Sequence, residues 1–135
     1  MKNIIVYYYE NGCYYSSSTY NTLTKLINDY PNLEEYIEFI PVNRNISEED
    51  KQKIFKKYNS QNHRTFPFII YQNNEKSYVI GGNDKVSKIV DIFYTVSDKN
   101  EILKKFEELS SENKGHGKIY AFLKIKTLQQ KNNII

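Results

Sequence analysis

With 135 residues, 39% of them apolar and 13 of them tyrosine, the chain has material for one packed core, which excludes disorder throughout and leaves no room for two comfortable domains. A single cysteine excludes an internal disulfide and with it a stapled secreted scaffold, so a reducing compartment suits the chain best. The net charge is only +3, but all 16 acids precede Lys114, while Lys114, Lys118, Lys124, Lys126 and Lys131 follow. A slightly acidic body thus carries a basic tail, and in a lysine-rich chain five lysines with Tyr120 and Phe122 make a solvated tail rather than a nucleic-acid surface.

The opening Met1-Lys2-Asn3-Ile4-Ile5-Val6 is too short an apolar run for a signal peptide, and no stretch reaches membrane-spanning length. A soluble, cytoplasmic protein with no membrane partner is expected. Ile4-Ile5-Val6-Tyr7-Tyr8 is β-branched and aromatic without polar alternation, as a central strand buried on both faces would be. Gly12 breaks it. From Cys13 onward Tyr20, Leu23, Leu26 or Ile27, and Tyr30 recur at helical spacing until Pro31 stops the pattern.

Tyr36-Ile37-Glu38-Phe39-Ile40 predicts a second strand, and Ser47-Glu48-Glu49-Asp50 has the hydroxyl and acids of a capped helix start, leading into Ile54, Phe55 and Tyr58. Phe68-Ile69-Ile70-Tyr71 and Ser77-Tyr78-Val79-Ile80 flank the polar Gln72-Asn73-Asn74-Glu75 and predict an antiparallel hairpin. After Asp84, Val86, Ile89, Val90 and Phe93 mark a third helix; after Asp98, Ile102, Leu103, Phe106 and Leu109 mark a fourth. The order β-α-β-α-β-β-α-α predicts an α/β fold, a four-stranded mixed sheet flanked by helices on both faces, which is the thioredoxin-like layout. Residues 113–135 form a basic C-terminal extension, and within it Lys118–Ile125 is apolar enough for an added helix or edge strand.

Cys13 falls between the opening strand and the first helix. At a helix start, unpaired N–H groups and the positive dipole end favour thiolate over thiol, so this sulfur is the candidate nucleophile. His63 and His116 share no ligand spacing with it or with the acids, and no protein metal site is expected.

Three segments fall where this fold would gather them: Cys13 with Ser16, Thr65-Phe66-Pro67, and Gly81-Gly82-Asn83-Asp84. Together they resemble the glutaredoxin family, whose signature is a C-x-x-C or C-x-x-S site, a Thr-Val-Pro segment with a cis proline, and a Gly-Gly-x-Asp segment that holds glutathione. The resemblance covers residues 1–112. It implies a glutathione-dependent monothiol thiol–disulfide oxidoreductase: Cys13 is catalytic, Ser16 cannot resolve a mixed disulfide, and external glutathione must. Glutathione and glutathionylated proteins are the implied partners.

For glutathione the resemblance implies contacts from Tyr15, from Phe66 and a cis Pro67, and from Gly82, Asn83 and Asp84 around the γ-glutamyl end. The chain departs from the family at Glu10, where many members have Lys, and at Tyr14, where Pro or Gly is usual; Arg64, or Lys56 or Lys57, is expected to supply the missing cation. Two alternatives stay open. One is a [2Fe–2S] carrier in which two chains each give Cys13 and two glutathiones complete the ligands, so that the protein is a monomer or a cluster-bridged dimer. The other is a non-catalytic protein-binding module on the same fold.

Overall fold

Strand β1 (Ile4–Tyr9) is buried at all but one of its positions. Its side chains alternate between two cores: Ile4 and Val6 enter one, and Ile5, Tyr7 and Tyr9 the other. A strand with apolar residues on both faces must be interior to its sheet. β1 indeed pairs in parallel with β2 (Ile37–Val42) and antiparallel with β3 (Phe68–Gln72). The computed structural model describes residues 2–60, 65–74 and 76–95, with Glu101, Lys104 and Glu108 as helical positions beyond them.

β3 pairs antiparallel with β4 (Ser77–Gly81), and the four-stranded mixed sheet has the order β2-β1-β3-β4. Helix α1 (Tyr14–Asp29) buries Ser16, Thr19, Leu23 and Leu26, one face at helical spacing, and packs with α3 (Asn83–Thr95) over Ile4, Val6, Ile69 and Ile80. Helix α2 (Glu48–Lys57) covers the opposite face, where Phe55 and the following Tyr58 meet Ile5, Tyr7, Phe68 and Ile70. Helices on both faces of a mixed sheet agree with the expected architecture. Among the described residues no helix is long and apolar enough to cross a membrane.

The start of α2 follows its sequence. Ser47 Oγ accepts from the Asp50 N–H at 3.1 Å, acids fill the first turn, and Lys56 and Lys57 fill the last, an arrangement that complements the helix dipole and contributes about 1 kcal/mol through the cap alone. Elsewhere the boundaries shift. Pro31 does end α1, but it opens a 3₁₀ turn over Pro31–Glu35 that buries Leu33, as proline at an initial helical position allows. β2 begins one residue later than expected and runs through Pro41 to Val42, which is tolerated because β2 is an edge strand. Val86 and Val90 of α3 are buried. The side chains of Ile89 and Phe93, the positions Ile102, Leu103, Phe106 and Leu109, and the extension 113–135 fall outside the described residues.

Phe55 ties the α2 face together: its ring lies 5.3 Å from that of Phe66 and 5.1 Å from that of Phe68, and it is fully buried. Phe55→Ala is expected to cost about 3–5 kcal/mol of folding free energy, read as a fall in the urea midpoint at unchanged slope.

Candidate active site

Beyond Tyr9 the chain leaves β1 and turns through Gly12, whose φ of +75° lies in the left-handed region. A Cβ there would meet nothing within 4 Å, so glycine is required for its backbone freedom alone. Cys13, extended at φ −128°, ψ 115°, is the N-cap of α1, and its carbonyl accepts the Ser17 N–H at 3.0 Å. The side chain is half-buried, with Sγ 4.0 Å from the Phe66 carbonyl oxygen.

As a thiol, Sγ makes no capping hydrogen bond. As a thiolate it gains several donors. Burial pushes the Cys13 pKa up, but the Ser16 N–H, the Ser16 hydroxyl, the Arg44 guanidinium and the Tyr15 N–H outweigh it, and the net direction is down. Ser16 is fully buried and its Oγ accepts the Tyr9 N–H at 3.0 Å. With its oxygen held by β1, its own hydrogen is left for the sulfur. Ser16 is therefore more than a helix-start hydroxyl.

Arg44 belongs to the loop between β2 and α2. In the β1–β2 ladder Tyr9 stands opposite Val42, and Arg44, two residues further, lies with its guanidinium carbon 4.8 Å from the centroid of the Tyr9 ring, a cation–π distance. The Tyr9 ring is buried and braced edge-on by Phe66 at 5.1 Å. Arg44 thus brings a cation to the site from an element other than those expected to carry one. Arg64 lies outside the described residues, and Lys57 stands 5.5 Å over the Tyr58 ring; among the described residues neither it nor Lys56 lines the site. Arg44 had a positional signal: it follows the carboxyl end of a strand parallel to β1, where α/β sheets build their sites.

The facing wall is Thr65, Phe66 and Pro67. The Phe66–Pro67 peptide is cis, as expected. The Phe66 ring is consumed by the core against Tyr9 and Phe55, so its main chain is what the site can use. At the far end β4 finishes at Gly81 and α3 begins at Asn83. The left-handed region is entered by Gly81, at φ +126°. At Gly82 a Cβ would stand 3.6 Å from the Pro67 oxygen and 3.8 Å from Asp84 Oδ1, ordinary contact distances. The conformational demand for glycine in this segment falls on Gly81, at the register shift where it faces Ile69.

These segments enclose one open cleft of about 600 Å³, with Cys13, Tyr15 and Arg44 on one side, Thr65, Phe66 and Pro67 opposite, and Gly82, Asn83 and Asp84 at the end. The volume suits a small peptide-sized ligand. Tyr15 (61% exposed) stands on the rim and packs edge-on with Tyr14 at 5.5 Å. Tyr14 is 78% exposed and does not line the cleft, so it does not seal the sulfur. Glu10 borders a separate depression with Tyr8 and Tyr20. A third hollow, beside β2 and α2, contains Tyr7, whose hydroxyl is bound to that of Tyr58 at 3.0 Å and is pushed well above the ordinary tyrosine range by burial and by that bond.

Among the described residues no group of three or more His, Cys, Asp or Glu side chains stands together to hold a metal ion. Comparison of the chain with protein-family models, with curated proteins and with solved structures yields no match.

Alkylation of Cys13 by iodoacetamide is expected to rise with a midpoint below the free-cysteine value of about 8.5, and Arg44→Gln to move that midpoint up. Because the folded thiol ionises at lower pH than the unfolded one, its contribution to stability is present above the unfolded value and is lost as pH falls through the folded value. An Arg44→Gln profile superimposed on the wild type would show that the guanidinium does not act on the sulfur.

Proposed function

We propose that the protein is a monothiol, glutathione-dependent thiol–disulfide oxidoreductase of glutaredoxin type on a thioredoxin-like fold, with Cys13 as its nucleophile. The observation that carries this reading is the cleft, which gathers Cys13, the Phe66–Pro67 segment and the Gly82–Asp84 segment from three separate parts of the sequence. Two further features support it: the lowered pKa of Cys13, and a mixed sheet of order β2-β1-β3-β4 with α1 and α3 on one face and α2 on the other.

The chemistry needs one sulfur. The Cys13 thiolate attacks the glutathionyl sulfur of a mixed disulfide; a Cys13–glutathione disulfide forms, and the substrate leaves as a thiolate that takes a proton from water. A second glutathione, as thiolate, attacks the glutathionyl sulfur, giving glutathione disulfide and restoring the Cys13 thiolate. Each turnover consumes one glutathione: it and the mixed disulfide become glutathione disulfide and the reduced substrate thiol. The Ser16 hydroxyl and Arg44 hold the negative charge on Cys13 at the start and end of the cycle, when it is the nucleophile and then the leaving group. The cytoplasm, where reduced glutathione is plentiful, is the fitting compartment.

The fit to a [2Fe–2S] centre is incomplete. One chain offers a single thiolate, and the exposed Tyr14 ring beside it would have to be accommodated between two copies, so no step is routed through a cluster.

With a small glutathionylated substrate, Cys13→Ser is expected to abolish deglutathionylation, whereas Ser16→Ala retains turnover at a rate reduced severalfold because the thiolate loses one donor. Equal rates for the wild type and Cys13→Ser would overturn the reading.

A further inference from the structure

Thr19 is fully buried on the inner face of α1, in line with Leu23 and Leu26. A hydroxyl among leucines needs a partner. Thr19 finds it on another helix: its Oγ1 donates to Asn83 Oδ1, 2.8 Å away in the opening turn of α3. A carboxamide has an acceptor end and a donor end. With Oδ1 drawn toward α1, the NH₂ group is left for the cleft that Asn83 lines.

The opposite orientation would be costly. Asp84 lines the same cleft, and a reversed Asn83 would present its carbonyl oxygen there too, leaving only acceptors from these two side chains. The main chain points the same way as the NH₂ group. Val86 N–H bonds back to the Gly82 carbonyl at 3.3 Å, so the N–H groups of Asn83 and Asp84 precede the helical ladder and have no partner within it.

We infer that Thr19 is a positioning residue for the cleft: its hydroxyl turns the Asn83 amide so that the donor end of that amide meets a ligand carboxylate. This rests on the glutathione reading above, and it makes α1 responsible for both ends of the site, with Cys13 at its start and Thr19 two turns in. A ligand with a free carboxylate at this end is accepted; one whose carboxylate is esterified loses the interaction.

The test is steady-state turnover of the mixed disulfide of glutathione with hydroxyethanethiol, for wild type, Thr19→Val, Thr19→Ser and Asn83→Asp, together with alkylation of Cys13 by the neutral iodoacetamide. Thr19→Val keeps the shape and loses the hydroxyl; it is expected to raise KM about five- to tenfold at unchanged kcat, and Thr19→Ser to stay within about twofold of wild type. Asn83→Asp still offers Thr19 an acceptor but presents an oxygen to the ligand, and is expected to raise KM by more than about tenfold. Alkylation rates stay at the wild-type value in both Thr19 variants. Wild-type KM in Thr19→Val and Asn83→Asp overturns the inference while leaving the redox reading intact. A Thr19→Val loss that appears equally in the alkylation rate, or that Thr19→Ser shares, marks a merely structural residue and also overturns it. A wild type without turnover removes the redox reading and this one together.

Discussion

The last rung of the parallel β1–β2 ladder, Tyr9 opposite Val42, is the constraint on which the site depends. It ends both strands at the same level, so the turn carrying Cys13 and the loop carrying Arg44 leave the sheet side by side. Tyr9 then serves both. Its N–H holds the Ser16 oxygen, and its ring carries the Arg44 guanidinium. A one-residue slip would reverse every β1 side chain between the two cores, and it would also separate the sulfur from its cation.

That arrangement decides an electrostatic contest. Desolvation alone would keep a half-buried sulfur protonated, and it is the largest single influence on Cys13. Four donors of different origin reverse it: two main-chain N–H groups of the first helical turn, a buried hydroxyl, and a guanidinium from a neighbouring loop. No single donor matches the desolvation. Glu10, the nearest acid in sequence, lines another depression, which keeps its charge from being the one the sulfur faces.

The elements were legible in the sequence wherever apolar periodicity was strong. The unbroken run Ile4–Tyr8, the 3–4 spacing of Leu23 and Leu26, and the Ser47 cap with its acids each gave the right element, because there local propensity and burial agree. The strand-to-helix turn that carries Cys13 was legible from the break at Gly12, and the cis Pro67 through the resemblance to a known family. What escaped were properties of assembled structure. Arg44 is one of several polar residues in Asn43-Arg44-Asn45, and only the strand pairing distinguishes it from Lys56 or Lys57. Ser16 and Thr19 look like ordinary helix residues until their partners on β1 and α3 are in place. Likewise, the φ that demands glycine at Gly81 lies at the register shift against Ile69, which the sequence does not display.

Pro41 has a consequence at the outer edge of the sheet. The Val42 carbonyl accepts the Glu10 N–H, so the main-chain polar groups of Val42 face β1 and those of its neighbour Pro41 face away from the sheet. Pro41 has no N–H to present there. The outer rim of β2 is therefore missing a donor near the C-terminal end of what would otherwise be a template for a foreign strand, and the exposed carboxylate of Glu38 lies on the same strand. Aggregation by edge-to-edge docking is opposed at this rim by a residue that costs the sheet none of its own pairing.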